Sequence, residues 1–344
     1  MASIIIADDG IMFDGLSTEL GPLGGAESSV IALSEALAAR GHKVTVYNMC
    51  KVSLLHNGVQ WKPLSENLPE TADLYIANRG DKLLNYVPNA KKVIFWIHNP
   101  AKYLLKWRYI SKLWKRRPTI VFIGDTHAST LPIWVPNGGL KVIPYGLADV
   151  FYEGKLINPP PPRAIFTSNP LRGLDWLLDR WVFEIYPHVK SAELHIYSGS
   201  MTYGKVGDQK SKEMNIVLDR AKRLTQYGVT VRQPISKKNL AEELSKTRCM
   251  LYRGDFNETF CLAIGEAQAM GVPCVVTDLG AMRERVISGK TGFIASNEKI
   301  FSESAKRLLI DDKLWSSQHC AALQTQRNWR WRDAAQRFEE FIGK

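Results

Sequence analysis

The sequence predicts an α/β protein made of two Rossmann-like domains, each a parallel sheet covered by helices. Three observations lead there. The chain has 344 residues, too many for one small core and enough for two of ordinary size. Short apolar, often β-branched runs alternate with helix-patterned segments throughout, as in a doubly wound parallel sheet. A tetraproline at 159–162 interrupts the alternation near the middle and reads as a semi-rigid connector.

In the first half, strands are expected at residues 3–8, 43–48, 73–78, 92–98, 119–124 and 140–144. Between the first two, Val30, Leu33 and Leu37 fall at helical spacing, which predicts a helix over 26–40 closed by Gly41. In the second half, strands are expected at 164–168, 194–197, 229–232, 249–252 and 274–277. Helices are expected at 174–185, 212–226, 240–246 and 262–270. The last helix, 329–342, is amphipathic, with Ala334, Ala335, Phe338 and Phe341 on one side. The expected division is a first domain over 1–147, a second over 148–328, and a terminal helix over 329–344. The carboxyl ends of the two sets of strands are expected to face each other across a cleft, where ligands bind in such folds.

The composition is that of a globular protein. Its apolar runs stop far short of the roughly 20 residues a membrane-spanning helix needs. The opening Met1-Ala2-Ser3-Ile4 carries no basic segment and its apolar run stops at Asp8-Asp9, so it reads as a strand and not a signal peptide. Five scattered cysteines without a C-x2-C pair argue against a disulfide framework or structural zinc and suit a reducing cytosol. Forty-five Lys and Arg against 34 Asp and Glu give a formal charge of +11, which calls for an anionic partner: a nucleotide, a lipid headgroup or a nucleic acid.

The most specific motif is Glu258-Thr-Phe-Cys-Leu-Ala-Ile-Gly-Glu266, followed by Ala-Gln-Ala-Met-Gly271-Val-Pro273. The helix that carries Glu266 is apolar nearly all round, so it is buried and its one carboxylate needs a partner. Glu258 lies eight residues earlier, roughly 12 Å away at helical rise. That is about the reach of a nucleotide-sugar from ribose to hexose. The N–H groups of Phe260, Cys261 and Leu262 open this helix, where a phosphate is favoured. A solvated Glu beside a structural Glu–Arg pair would produce the same pattern in isolation.

This segment resembles the E-x7-E signature of retaining nucleotide-sugar glycosyltransferases, specifically glycosyltransferase family four with the two-domain GT-B fold. The following residues are similar to the family's E-A-x-A-x-G-x-P-V-V. The resemblance implies that Glu258 faces the donor sugar and Glu266 holds the ribose hydroxyls. The family usually has Gly where Cys261 stands, a departure expected to be mild because a small residue still admits phosphate. Gly21-Pro-Leu-Gly24-Gly25-Ala-Glu27 is similar to the family's G-G-x-E loop, which assigns Gly24 and Gly25 to the donor diphosphate; read alone, the glycines also suit an ordinary turn. Thr167-Ser168-Asn169-Pro-Leu-Arg172-Gly173 is similar to G-R-x-x-x-x-K-G. Arg172 takes the lysine's place against the leaving diphosphate, while Ser168 or Asn169 stands near the missing arginine and offers neutral donors only. A cation at a helix start is unfavourable unless an anion is present, which supports the assignment. The resemblance also implies a His near the sugar, at His98, and a terminal helix, 329–344, that crosses back to pack on the first domain. Asp125 and Thr126 follow another strand end and are weaker candidates. Glu284 resembles a structural family glutamate.

The implied activity is transfer of a hexose from a nucleotide diphosphate sugar, UDP- or GDP-linked, with retention, to a glycan, lipid-linked or small-molecule acceptor. No protein nucleophile and no cofactor are implied, and the leaving diphosphate accepts the acceptor's proton. With no Asp-x-Asp in the chain, no metal is expected. Two rivals share some features. A nucleotide-dependent oxidoreductase should show G-x-G-x-x-G, which is absent. A basic nucleic-acid-binding protein shares the charge. The segment 102–117, KYLLKWRYISKLWKRR, has seven basic residues and no acidic ones, and Tyr103, Trp107, Ile110 and Trp114 share one face of a single helix. It reads as a packed helix with a solvated basic side, as a peripheral helix on an anionic membrane's inner face, or as a nucleic-acid surface.

Overall fold

A computed structural model describes residues 1–199 and 209–343. The chain divides into two compact units. The first is Met1–Gly146 with Trp329–Lys344, and the second is Leu147–Asn328.

In the first unit, β1 (Ser3–Asp8), β2 (Lys43–Asn48), β3 (Leu54–His56), β4 (Val59–Pro63), β5 (Leu74–Asn78), β6 (Lys92–Trp96), β7 (Thr119–Phe122) and β8 (Gly139–Val142) form one sheet. The order is β3-β4-β2-β1-β5-β6-β7-β8. All pairs are parallel except β3 with β4. Strand order therefore reverses between β1 and β5, and the last residues of those strands, Asp8 and Asn78, stand in register. The hairpin β3–β4 was not expected from the sequence. Its turn is Asn57-Gly58 with both φ positive, 46° and 77°, the backbone a tight hairpin needs and Asn-Gly supplies cheaply.

Ile4, Ile6, Val44, Val46, Ile76 and Ile94 are buried on the sheet. The helix Gly25–Ala39 packs with the terminal helix Trp331–Glu339, which is shorter than expected but joined to this unit. Its Phe338 is buried edge-on against Trp96, ring centroids 5.5 Å apart. Glu339 meets Arg40 at 2.5 Å and His42 Nε2 at 2.7 Å.

The segment 102–117 is not one helix. Ala101–Leu105 is a 3-10 turn, Lys106 is extended (φ −67°, ψ 136°), and the α-helix is Trp107–Arg116. Leu104 and Leu113 are both fully buried in one cluster. On a continuous helix, nine residues apart, they would point about 180° from each other. The break at Lys106 lets both reach the core. As a result the expected shared face is not the buried one: Tyr109 and Leu113 face inward while Trp107 and Trp114 face solvent.

In the second unit, β9 (Arg163–Phe166), β10 (Glu193–Tyr197), β11 (Val229–Arg232), β12 (Cys249–Tyr252), β13 (Cys274–Thr277) and β14 (Gly292–Ala295) form a wholly parallel sheet. The order β11-β10-β9-β12-β13-β14 reverses between β9 and β12. β14 and the helices Glu298–Ile310 and Asp312–Thr325 were not anticipated. The tetraproline is not a linker between units. Leu147, Phe151 and Tyr152 already belong to the second core, and Pro160 O accepts from Arg248 Nη1 at 3.2 Å. No helix among the described residues is long and apolar enough to cross a membrane.

The terminal helix gives the fold its first test. Phe338→Ala should cost about 3–5 kcal/mol, because it opens a cavity against Trp96. Urea unfolding followed by tryptophan fluorescence measures this, and a cost below about 1 kcal/mol would mean that the helix contributes little to the first unit.

Candidate active site

Each reversal of strand order leaves a crevice at the carboxyl ends of the strands. In the second unit the crevice receives the loop after β9 and the end of β12. Asn169 shapes that loop: its Oδ1 accepts from Leu171 N at 2.9 Å, and its carbonyl accepts from Arg172 N at 2.9 Å. Ser168 O is fixed by Ser198 Oγ at 2.6 Å. The turn delivers Arg172 to the start of the helix Leu174–Arg180. Its Nη1 donates to Glu258 Oε2 at 2.6 Å, and Tyr252 OH donates to the same oxygen at 2.7 Å. Glu258 is buried, so its carboxylate requires such donors. Burial, then the Cys261 and Glu258 charges, push the Tyr252 phenol well above its ordinary range, which keeps it a proton donor in this contact. The residues expected to serve the sugar and the diphosphate, Glu258 and Arg172, are thus in direct contact.

Glu266, on the helix Leu262–Ala269, is buried and ion-paired with Lys237. Lys237 begins the helix Lys237–Leu244, capped by Ser236, and its ammonium lies 5.8 Å from the centre of the Phe151 ring. Phe260 is buried under Arg285, whose guanidinium is 4.2 Å from the ring centre. Tyr252, Lys237 and Arg285 were not singled out from the sequence. The one signal among them was that a buried Glu266 demands a cation, which does not say that the cation is Lys237.

Cys261 caps the helix Leu262–Ala269 with φ +65° and ψ 78°. Replacing the family glycine therefore carries a backbone cost here, apart from the question of phosphate access. A left-handed backbone costs a non-glycine residue on the order of 1 kcal/mol. Gly280 supports the same corner at φ +55°, where a Cβ would meet Asp255 O at 2.5 Å and Glu258 O at 2.6 Å. Glu284, further along that turn, is half-buried.

In the first unit, Asp8, Asn78, Arg79 and His98 gather where β1 and β5 end. Arg79 Nη2 donates to Asp8 Oδ2 at 2.8 Å and Nη1 to Glu27 Oε1 at 3.0 Å. Asn78 Nδ2 also reaches Asp8. His98 Nε2 pairs with Asn78 Oδ1, and Nδ1 with Tyr145 OH. Burial, then Arg79, hold the His98 imidazole well below its ordinary value, so the ring is neutral. An Nε2–H donor to Asn78 with Nδ1 accepting from Tyr145 satisfies both contacts. His98 thus has both ring nitrogens engaged by protein. Gly24 is the buried residue before the helix Gly25–Ala39, and Gly25 is exposed at its first position; neither adopts a positive φ. Arg79, like Cys261, has a left-handed backbone, φ +67°. Asp125 is exposed at the start of the short helix Asp125–Ala128, which Thr126 continues. Among the described residues no three His, Cys, Asp or Glu side chains gather as a metal site.

The strain at Cys261 is measurable. Cys261→Gly should be about 1 kcal/mol more stable than Cys261→Ala, because only glycine removes the left-handed penalty. Thermal and urea unfolding of the two variants compare them, and a more stable alanine variant would contradict the strain.

Residues 162–311 match the family model of glycosyl transferases group 1. D-inositol 3-phosphate glycosyltransferase of Corynebacterium diphtheriae is 31% identical over 90 residues, which is 26% of this chain and 21% of that relative's length. Among solved structures, sucrose-phosphate synthase from Thermosynechococcus elongatus superposes with TM-score 0.76 at 15% identity, covering 99% of this chain and 98% of that one. HepE from Anabaena, in complex with UDP-glucose, gives TM-score 0.73 at 14% identity over 100% of both chains. WaaG, a glycosyltransferase involved in lipopolysaccharide biosynthesis, gives TM-score 0.65 at 11% identity, covering 98% of this chain and 99% of that one. At such identities these likenesses show the fold, which is the GT-B fold expected from the sequence. The segment that matches this family model, residues 162–311, includes both Glu258 and Glu266.

Proposed function

We propose that the chain is a retaining, metal-independent glycosyltransferase that takes a hexose from a nucleotide diphosphate sugar. The observation that carries this reading is the contact of Arg172 and Tyr252 with Glu258 at the β9/β12 crevice, beside a helix whose buried Glu266 completes the E-x7-E spacing. In this reading Glu266 accepts hydrogen bonds from the ribose hydroxyls. Phe260, Cys261 and Leu262 present the helix N-terminus to the diphosphate, helped by neutral donors at Ser168 and Asn169. Arg172, which is two-fifths exposed, turns from Glu258 toward the diphosphate as the glycosidic C–O bond breaks. The acceptor oxygen bonds to the anomeric carbon, and its proton passes to the departing phosphate. Glu258 faces the hexose. HepE is complexed with UDP-glucose, which favours a UDP-sugar here. Gly24 and Gly25 are proposed to lie near the diphosphate. His98 acts through Asn78 and Tyr145 as a positioning group. The acceptor is a glycan, a lipid-linked sugar or a small molecule.

Calorimetry with free UDP and GDP tests the carboxylate roles. Glu266→Ala should weaken nucleotide binding by about 1.5–3 kcal/mol, the worth of hydrogen bonds to a charged acceptor. Glu258→Ala should leave that affinity nearly intact and depress turnover of the sugar nucleotide. Equal losses of affinity in both would reject the assignment.

Turnover, read as nucleotide release, tests the phosphate role. Arg172→Ala should be slower than Arg172→Lys, which keeps the charge and loses the planar fork. Transfer should persist in EDTA. Silencing by EDTA with recovery on adding Mn2+ would refute the metal-independent reading.

A further inference from the structure

Residues 82–148 hold eleven Lys and Arg and one acidic residue, Asp125. That is a net +10 of the chain's +11, gathered on one half of the first unit's sheet. Within this half, two short segments turn large apolar side chains to solvent. Trp107 and Trp114, two helical turns apart on one face of Trp107–Arg116, are 79% and 68% exposed. Ile133 and Trp134 are 99% and 63% exposed at the tip of a tight turn closed by Val135 N to Pro132 O, 3.1 Å. Turn tips ordinarily carry Gly, Asn, Asp or Ser. The two segments lie side by side. Ala101 N donates to Thr130 Oγ1 at 2.7 Å, and Leu131 and Val135 share a buried cluster with Leu104 and Leu113. The buried members anchor both segments, and the exposed ones are left without protein cover.

The basic residues here divide into two groups. Lys112 is taken by Asp81, and Arg116 by the carbonyls of Val87 and Pro88, so these serve the fold. Lys102, Lys106 and Lys115 are exposed around the tryptophans and make no ion pair among the described residues. Tryptophan at the level of the headgroups, rimmed by lysine, suits the border between water and an anionic lipid surface. Duplex recognition would use the exposed lysines and leave the protruding Ile-Trp tip without a role.

We propose that the 102–115 and 131–135 segments form a docking face for an anionic bilayer, with Trp107, Trp114, Ile133 and Trp134 entering the headgroup region. This surface is independent of the glycosyltransferase reading, since its occupancy is read without any turnover.

Co-sedimentation of the full chain with phosphatidylglycerol–phosphatidylcholine vesicles, and with phosphatidylcholine alone, tests it. The wild type should pellet with the anionic vesicles at low salt. Replacing Lys102, Lys106 and Lys115 with Ser should lower that affinity about fivefold for each residue, on the order of a hundredfold together. The pair Trp107→Ser and Trp134→Ser, both at exposed positions, should remove the part of binding that survives high salt. Wild type that stays in the supernatant with anionic vesicles at low salt would overturn the proposal. So would tryptophan variants that bind as wild type does. Tighter binding to a DNA duplex than to vesicles would reassign the face to nucleic acid. Self-association that the tryptophan variants abolish, seen by sedimentation velocity, would reassign it to a second copy of the chain.

Discussion

An ionised carboxylate removed from water has to be met by a cation or by hydrogen-bond donors, and both units are arranged around that requirement. Asp8 and Glu27 share Arg79, Glu258 holds Arg172 and Tyr252, and Glu266 holds Lys237. None of these partners can be exchanged for an apolar residue without stranding a buried charge. The pairs therefore fix where the loops after β1, β5, β9 and β12 must run. Those loops lie at the two reversals of strand order, so the polar requirement and the topology act on the same places.

The backbone yields at the same places. Of the four non-glycine residues with positive φ among the described ones, Asn57 and Arg117 serve a hairpin and a helix end. Arg79 and Cys261 sit beside the carboxylates. Strain of this kind persists only where the surroundings over-determine it. Arg79 is held by two carboxylates, and Cys261 by its burial at the head of an apolar helix.

Much of this was legible in the sequence, for identifiable reasons. Buried parallel strands are short apolar runs, and 3–8, 43–48, 229–232, 249–252 and 274–277 needed no adjustment. The burial of the helix Leu262–Ala269 was legible because an apolar stretch with a single charge has no side to give to solvent. The β3–β4 hairpin is also written there, in Asn57-Gly58, but its strands are too short to show a clear alternation. The break at Lys106 could not be read. Helical period describes one segment, whereas the break answers to where Leu104 and Leu113 must both be buried. The same limit hid Lys237 and Tyr252, whose partners are set by the register of elements distant in sequence or by a loop's return path. It also hid the exposure of Ile133 and Trp134, which depends on Leu131 and Val135 taking the buried places beside them.

The terminal helix has a consequence for synthesis. The second unit is continuous in sequence, but the first is not: Trp331–Glu339 covers Trp96 only after residues 147–328 have been made. On a ribosome the first sheet therefore waits with an apolar face uncovered while the whole second unit emerges and can close on itself. Of the two units, the one made first is finished second. During that interval the face later sealed by Phe338 is a target for chaperones and for misassembly with other nascent chains.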